Sequence, residues 1–241
     1  MSRSADLRRF YEILDGLRDR VALRRLADCH GRMNWPQRGV YFFFEAGEQR
    51  TASGSGPRVV RVGTHAITAS SRTTLWDRLS AHRGTARSGS GNHRGSVFRL
   101  LVGDALIKRG GLQVPSWGEG ASLGEASQRL GLPREAIKDL EHPVESAVTL
   151  AIGAMPFAWV GVEDPPSTTS QRAFIERNAI ALLSNYGTVS ADPPSETWLG
   201  LSSDKECVRR SGLWNNNHVE ENYDRAFLEV LSGAAEVTGP A

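Results

Sequence analysis

Two apolar runs joined by a polar turn constrain the fold more than any other feature. Residues 38–45 contain Gly39-Val40-Tyr41 followed by three phenylalanines, and residues 58–63 read Arg-Val-Val-Arg-Val-Gly. Each run is short and rich in β-branched or aromatic residues, as expected of buried strands. The Ser, Gly and Pro residues of segment 51–57 predict a turn between them. The sequence therefore predicts a β-hairpin.

Helices are predicted before and after this hairpin, because apolar residues recur there at helical spacing. Six segments favour helix, namely about 5–27, 73–82, 96–108, 134–150, 170–185 and 223–231. A third strand is predicted over 157–163, because Pro165-Pro166 follows an apolar run. Segment 109–132 has little periodicity and is predicted to be an insertion. Alternation of strands and helices in this order indicates an α/β fold.

Composition excludes several classes of protein. The chain is 39% apolar and 23% charged, which is typical of a soluble globular protein. No apolar run approaches the ~20 residues of a membrane span, and the first residues lack a signal-peptide core. Two cysteines, Cys29 and Cys207, are too few for a disulfide framework. We expect a cytoplasmic protein that does not bind membranes.

Positive charge is concentrated in one part of the chain. The net charge is only +2, yet residues 49–103 contain one acidic residue and nine arginines, at positions 50, 58, 61, 72, 78, 83, 87, 94 and 99. Such an excess is typical of a surface that binds a phosphate backbone. The alternative is that acidic residues from elsewhere in the chain balance it. Segment 83–95 is too rich in Gly, Ser and Arg to predict a packed element.

Four side chains form a candidate catalytic set. Tyr41 lies on the first strand, and Arg78 and His82 lie four residues apart, on one face of a predicted helix. Glu176 lies beside the apolar stripe of a later helix, where a carboxylate can reach a cleft while its helix stays packed. These residue types are suited to metal-assisted cleavage of a phosphodiester bond.

The order and spacing of these elements resemble the GIY-YIG nuclease family. The resemblance covers about residues 38–185 and departs from the family pattern at Arg61, where a second tyrosine is expected. In this respect the chain is similar to restriction-endonuclease-like members, which carry a basic residue there. The resemblance implies a small antiparallel sheet of three core strands flanked by helices. It implies an N-terminal helical extension (1–37), a nuclease domain (38–190) with an insertion at about 109–132, and a C-terminal extension (191–241).

The resemblance also implies a role for each candidate residue. Tyr41 would help to activate the attacking water, and Arg61 would stabilise the phenolate or hold a phosphate. Arg78 and His82 would contact the scissile phosphate. Glu176 would hold one metal ion, Mg²⁺ or Mn²⁺, since a single carboxylate suits a cation that keeps most of its water ligands.

Further residues are predicted to contact nucleic acid. His65 is a candidate second proton carrier, and the arginines of segment 83–95 are candidate phosphate ligands: Arg83, Arg87 and Arg94. Asn185 or Asn178 would be the family's late asparagine. The Asn-rich segment 214–218 either reads adenine edges or forms a structural turn.

The sequence thus predicts a metal-dependent endonuclease that hydrolyses phosphodiester bonds in DNA, with RNA left open as a substrate. One alternative, suggested by the replaced tyrosine, is a catalytically weak or inactive nucleic-acid-binding module on the same fold. Another is a structural protein whose arginine-rich loop docks on an acidic partner. The sequence does not determine the oligomeric state.

Overall fold

The computed structural model describes residues 2–85 and 88–240. Within these ranges four strands form one antiparallel sheet in the order β1-β4-β2-β3, with the bounds Arg24–Arg25 (β1), Gly39–Gln49 (β2), Pro57–Gly63 (β3) and Pro156–Gly161 (β4). The α-helices of the same ranges are Arg3–Arg20 (α1), Leu75–Arg83 (α2), Val97–Gly110 (α3), Leu123–Leu130 (α4), Arg134–Ala154 (α5), Gln171–Leu183 (α6), Glu206–Ser211 (α7) and Phe227–Val237 (α8). The predicted α/β fold with a small antiparallel sheet is confirmed.

Both faces of the sheet are buried, which explains why β2 is a continuous apolar run. Val40, Phe42 and Phe44 pack with α1, α6 and α8 on one face. Tyr41 and Phe43 pack with α2, α3 and α5 on the other. Successive side chains of a strand point to opposite faces, so one run of six residues supplies both cores. The molecule has three layers, with the sheet between two layers of helices.

The register of the hairpin places three residues of the candidate site on one face. Tyr41 pairs with Gly63, and Phe43 pairs with Arg61. Directly paired residues of antiparallel strands share a face. The next pair, Phe44 with Val59, follows a register shift, which indicates a β-bulge. Tyr41, Gly63 and Arg61 therefore meet near the end of β3.

Helices α1 and α4 differ from the sequence prediction. The first helix ends at Arg20 instead of continuing to residue 27, because Arg24 and Arg25 pair with β4. Helix α4 lies in the segment predicted to be an insertion with little periodicity. Ser122 and Glu125, three residues apart, are typical of the start of a helix. Ser122 accepts the Glu125 N–H (3.2 Å), and the Glu125 carboxylate accepts the Ala121 N–H (2.8 Å). No described helix is long and apolar enough to cross a membrane.

The arginine-rich loop is tied to the rest of the fold. Arg94 forms a two-pronged ion pair with Glu141 of α5 (2.7 and 2.8 Å) and donates to the carbonyl groups of Ser116 and Glu119. The prediction that Arg94 is a phosphate ligand does not fit this position, because an acidic residue 47 positions later binds it. Arg87 lies outside the described residues.

Acidic residues from other segments neutralise much of the predicted basic surface. Four arginines of segment 49–103 form ion pairs with them: Arg50 with Asp15, Arg58 with Glu48, Arg94 with Glu141 and Arg99 with Glu145. Across the part of the chain that the structure covers, Arg61 and Arg78 form no ion pair. The surplus positive charge is thus confined to fewer positions, and for two of them, Arg61 and Arg78, the resemblance implies a role at the site.

Replacing Arg94 with alanine should destabilise the fold. The substitution leaves the buried Glu141 carboxylate without its partner, and breaking a buried pair typically costs about 3–5 kcal/mol. Chemical denaturation would measure the loss, with Arg72→Ala as the control, because Arg72 is exposed and belongs to the same basic segment. The control should change stability by less than about 0.5 kcal/mol. Equal effects of the two variants would contradict the structural role of Arg94.

Candidate active site

The centre of the site is the contact of Tyr41 with Gly63 and His82. The Tyr41 ring lies against the backbone of Gly63, where a Cβ atom would be 2.3 Å from the phenol oxygen. Only glycine leaves room for the ring at this position. The hydroxyl group lies 2.7 Å from Nε2 of His82, in the last turn of α2. Thr74 and Asp77 start that helix with reciprocal capping bonds.

His82 is fully buried, and both of its ring nitrogens have partners. Nδ1 lies 2.7 Å from the hydroxyl of Ser96, the N-cap of α3, which also accepts the Arg99 N–H (3.2 Å). Burial lowers the pKa of His82 well below its usual range, and the charges of Arg78 and Arg61 add to this. The imidazole is therefore neutral at pH 7. It reaches Tyr41 and not solvent, so the expected direct contact with a phosphate does not fit its position.

A buried ion pair holds the helix that carries His82. Arg99 donates to the His82 carbonyl (2.9 Å) and to the Glu145 carboxylate of α5 (3.0 Å). The other oxygen of Glu145 accepts the backbone N–H of His93 (2.6 Å). These contacts join α2, α3 and α5 behind the site. The sequence analysis did not single out Ser96, Arg99 or Glu145, and each is recognisable only through its partner.

Two arginines next to Tyr41 keep unused donors. Arg61 is buried, donates to the Trp214 carbonyl and lies 5.4 Å from the ring centroid of Phe98. Burial lowers its pKa, whereas Tyr41 and Glu176 oppose that shift. Arg78 makes one long bond, to the Gly95 carbonyl at 3.4 Å. Among the described residues, neither Nε atom has a hydrogen-bond partner. Unused guanidinium donors fit the oxygens of a phosphate.

Glu176 reaches the same place from the opposite layer of helices. Helix α6 packs on the face of Val40 and Phe42, away from Tyr41. Its Glu176 nevertheless accepts the backbone N–H of Thr64, the residue after β3, at 3.0 Å. Burial raises the pKa of this carboxyl, and the charges of Arg61, His218 and Arg78 oppose the shift. The carboxylate therefore passes the end of β3 and lies within electrostatic range of both arginines.

The residues present suit a hydrated metal ion better than an enclosed metal site. The described residues include no group of three or more His, Cys, Asp or Glu that could hold a metal. Glu176 engages one oxygen with Thr64, and its other oxygen has no bonding partner in the described part of the chain. A single free carboxylate oxygen is what Mg²⁺ or Mn²⁺ needs when water and substrate phosphates supply its other ligands.

Both ring nitrogens of His65 form hydrogen bonds within the protein. Its Nε2 accepts the Gly39 N–H (3.3 Å), so its Nδ1 carries the proton and donates to the Thr73 carbonyl (2.9 Å). Burial lowers the pKa of His65 to about 4. The side chain links the start of β2 to the segment before α2. No ring nitrogen remains for the predicted contact with nucleic acid.

The other predicted contacts are also engaged within the protein. Arg83 donates to the Cys29 carbonyl and lies 5.6 Å from the Trp76 ring. Asn185 donates to the Asp192 carbonyl (3.2 Å) and accepts the Ala191 N–H (3.1 Å), which closes a loop. Asn178 likewise bonds to Phe174 and Asp224. The arrangement does not favour either asparagine as a substrate ligand.

Comparison with known proteins identifies the family. A family model described as the GIY-YIG domain matches residues 1–240. The chain belongs to the GIY-YIG family. The predicted resemblance is thus confirmed, and membership indicates nuclease chemistry on nucleic acid. Neither the curated proteins nor the solved structures that were searched contain a match to this GIY-YIG chain.

The stability of this GIY-YIG protein should fall as the pH is lowered from about 6.5 to 4. In the unfolded chain a histidine binds a proton near pH ~6.5, whereas the pKa of folded His65 is about 4. The unfolded state therefore binds more protons in that window, so stability decreases toward acid. Urea unfolding at several pH values would measure the slope.

His65→Gln keeps a side-chain acceptor and removes this titration, so its stability should change less steeply between pH 6.5 and 4. His30→Gln is the control, because His30 is exposed. An identical slope for wild type and His65→Gln would show that His65 titrates alike in both states.

Proposed function

We propose that this GIY-YIG protein is a metal-dependent endonuclease that hydrolyses phosphodiester bonds in DNA with one Mg²⁺ or Mn²⁺ ion. The observation that supports this most is the 2.7 Å contact between Tyr41 and a neutral, buried His82. It lies beside two arginines with unused donors and within reach of a carboxylate. Cytoplasmic location and DNA as partner are parts of the same proposal.

In its phenolate form, Tyr41 would act as the base that accepts a proton from the attacking water. The backbone N–H of Arg99 donates to Ser96, so the Ser96 hydroxyl can donate to Nδ1 of His82. Nε2–H of His82 then donates to the Tyr41 oxygen. The positive charges of Arg78 and Arg61 act on His82, and Arg61 also interacts electrostatically with Tyr41. His82 is therefore a positioning residue that acts through Tyr41.

Arg61 and Arg78 would bind the scissile phosphate. Protein contacts hold their guanidinium groups before substrate arrives, so their positive charges can stabilise the charge that grows on the phosphate oxygens in the transition state. Glu176 would hold the metal ion through its free oxygen. When bound there, the ion would supply Lewis-acid polarisation of the phosphate.

Replacing Glu176 with glutamine should abolish cleavage and preserve DNA binding. Glutamine keeps the size and the acceptor for Thr64 but removes the charge that the metal requires. We expect the rate of plasmid nicking with Mg²⁺ to fall by about 10³-fold or more, as for other losses of transition-state electrostatics. Binding of a duplex in chelator should change little, since arginines carry that affinity.

Glu220→Gln is the matched control for this substitution, because it is the same chemical change at an exposed carboxylate. It should cleave at the wild-type rate. Wild-type cleavage by Glu176→Gln would place the metal elsewhere. Absence of cleavage by the wild-type protein, together with salt-sensitive DNA binding, would favour the non-catalytic binding module.

Tyr41→Phe should reduce cleavage by about 10²–10⁴-fold, the usual contribution of general base catalysis. His82→Gln should be slower than wild type. The double variant should be no slower than Tyr41→Phe alone, because residues that act as a unit have non-additive effects. Single-turnover rates of the four proteins would test this. Multiplying effects would mean that His82 contributes independently of Tyr41.

A further inference from the structure

A segment near the C-terminus completes the edge of the sheet beside the site. The Trp214 N–H donates to the Val60 carbonyl (2.7 Å), and the Trp214 carbonyl accepts Arg61. The Asn215 side chain accepts the Val62 N–H (3.1 Å) and donates to the Val62 carbonyl (2.9 Å). Asn215 thus satisfies the free edge of β3 as another strand would. This fixes the following residues next to Arg61.

His218 follows this anchor in an unusual backbone conformation. Asn216 and Asn217 are exposed, and His218 has φ +62°. The left-handed region is uncommon for residues other than glycine, and such conformations concentrate at functional sites. The conformation turns the chain back at this point, immediately beyond the segment that is bonded to β3.

The His218 ring is held in one orientation. Its Nδ1 lies 2.8 Å from the Glu221 carboxylate, which also forms an ion pair with Arg177 of α6. Nε2 has no hydrogen-bond partner among the residues described here. A third of the side chain is exposed (33%). The ring is therefore oriented by protein contacts, and its second nitrogen remains available to a ligand.

His218 also lies within electrostatic range of Glu176. Its charge is among the influences that oppose the raised pKa of that carboxyl, together with those of Arg61 and Arg78. His218 and Arg61 thus approach the carboxylate from two segments that the Trp214 and Asn215 contacts hold together.

We propose that His218 binds a phosphate of the cleaved strand through Nε2. The proposal rests on the proposed endonuclease function. A ring that donates its Nδ1–H to Glu221 and carries a second proton on Nε2 can donate a charge-assisted hydrogen bond from Nε2 to a phosphate oxygen. His218 is therefore a substrate-binding residue that adds to the predicted catalytic set.

The test uses His218→Asn in the full-length protein. Asparagine tolerates the left-handed conformation but lacks the imidazole, so the fold should survive with an unchanged melting temperature. We expect kcat/KM for duplex cleavage with Mg²⁺ to fall at least about tenfold, equivalent to about 1.4 kcal/mol. His30→Asn, at an exposed histidine before β2, should cleave as wild type does.

A second measurement identifies the phosphate contact. Duplexes carrying a single neutral methylphosphonate at successive positions around the cleavage site would be cleaved by wild type and by His218→Asn. At the contacted phosphate, wild type should slow to the rate of the variant, and the variant should slow no further. A variant that loses the same factor as wild type at every position would overturn the proposal.

Other outcomes separate this proposal from the proposed function. If wild type cleaves and Glu176→Gln does not, wild-type cleavage by His218→Asn overturns only the role of His218. If Glu176→Gln cleaves as wild type does, the proposed function itself fails. His218→Gly should be at least as thermostable as wild type, because glycine relieves the backbone strain. Its cleavage rate should be reduced as much as that of His218→Asn, because both variants lack the imidazole. Wild-type cleavage by His218→Gly would show that only the backbone conformation matters.

Discussion

The site depends on the close approach of the Tyr41 ring to the backbone of Gly63. The antiparallel register pairs these two residues, and the absence of a side chain at Gly63 lets the ring lie across the hairpin. The hydroxyl then meets His82, whose helix is fixed from behind by Arg99 and Glu145. A change in the register or in the position of α2 would separate the phenol from its only imidazole neighbour among the residues that the structure describes.

Ion pairs with carboxylates occupy some arginines and leave others available to a substrate. Arg58, Arg94 and Arg99 are bound by buried carboxylates and stabilise the fold. Arg61 and Arg78 have unpaired donors and surround a neutral histidine. The result is a local positive field at Tyr41 and Glu176, although the net charge of the protein is only +2. Electrostatic preorganisation of this kind requires neighbours that are already fixed by packing.

The sequence predicts structural elements that depend on neighbouring residues of the chain. It does not predict the contacts of a side chain whose bonding partner lies far away in the sequence. The hairpin, α2 and α6 follow from strand composition, an N-cap and apolar spacing, and the family match confirms the resemblance. Helix α4 was missed although Ser122 and Glu125 signal its start. The predicted phosphate contact of Arg94 does not fit the structure, because its partner Glu141 is distant in sequence and could not be foreseen. The domain boundaries, including the extension 1–37, stay predictions.

The sequence by itself determined the hairpin of β2 and β3, the later strand β4, the helices that carry Arg78 and Glu176, and the family to which they belong. Those features depend on residue types and spacings within a few turns of chain. Only the tertiary structure decided that Glu176 reaches the site from the opposite layer, that Ser96 orients His82, and that His218 lies nearby. Each of these depends on contacts between segments far apart in the chain, which no local pattern encodes, because packing of the whole core sets their distances.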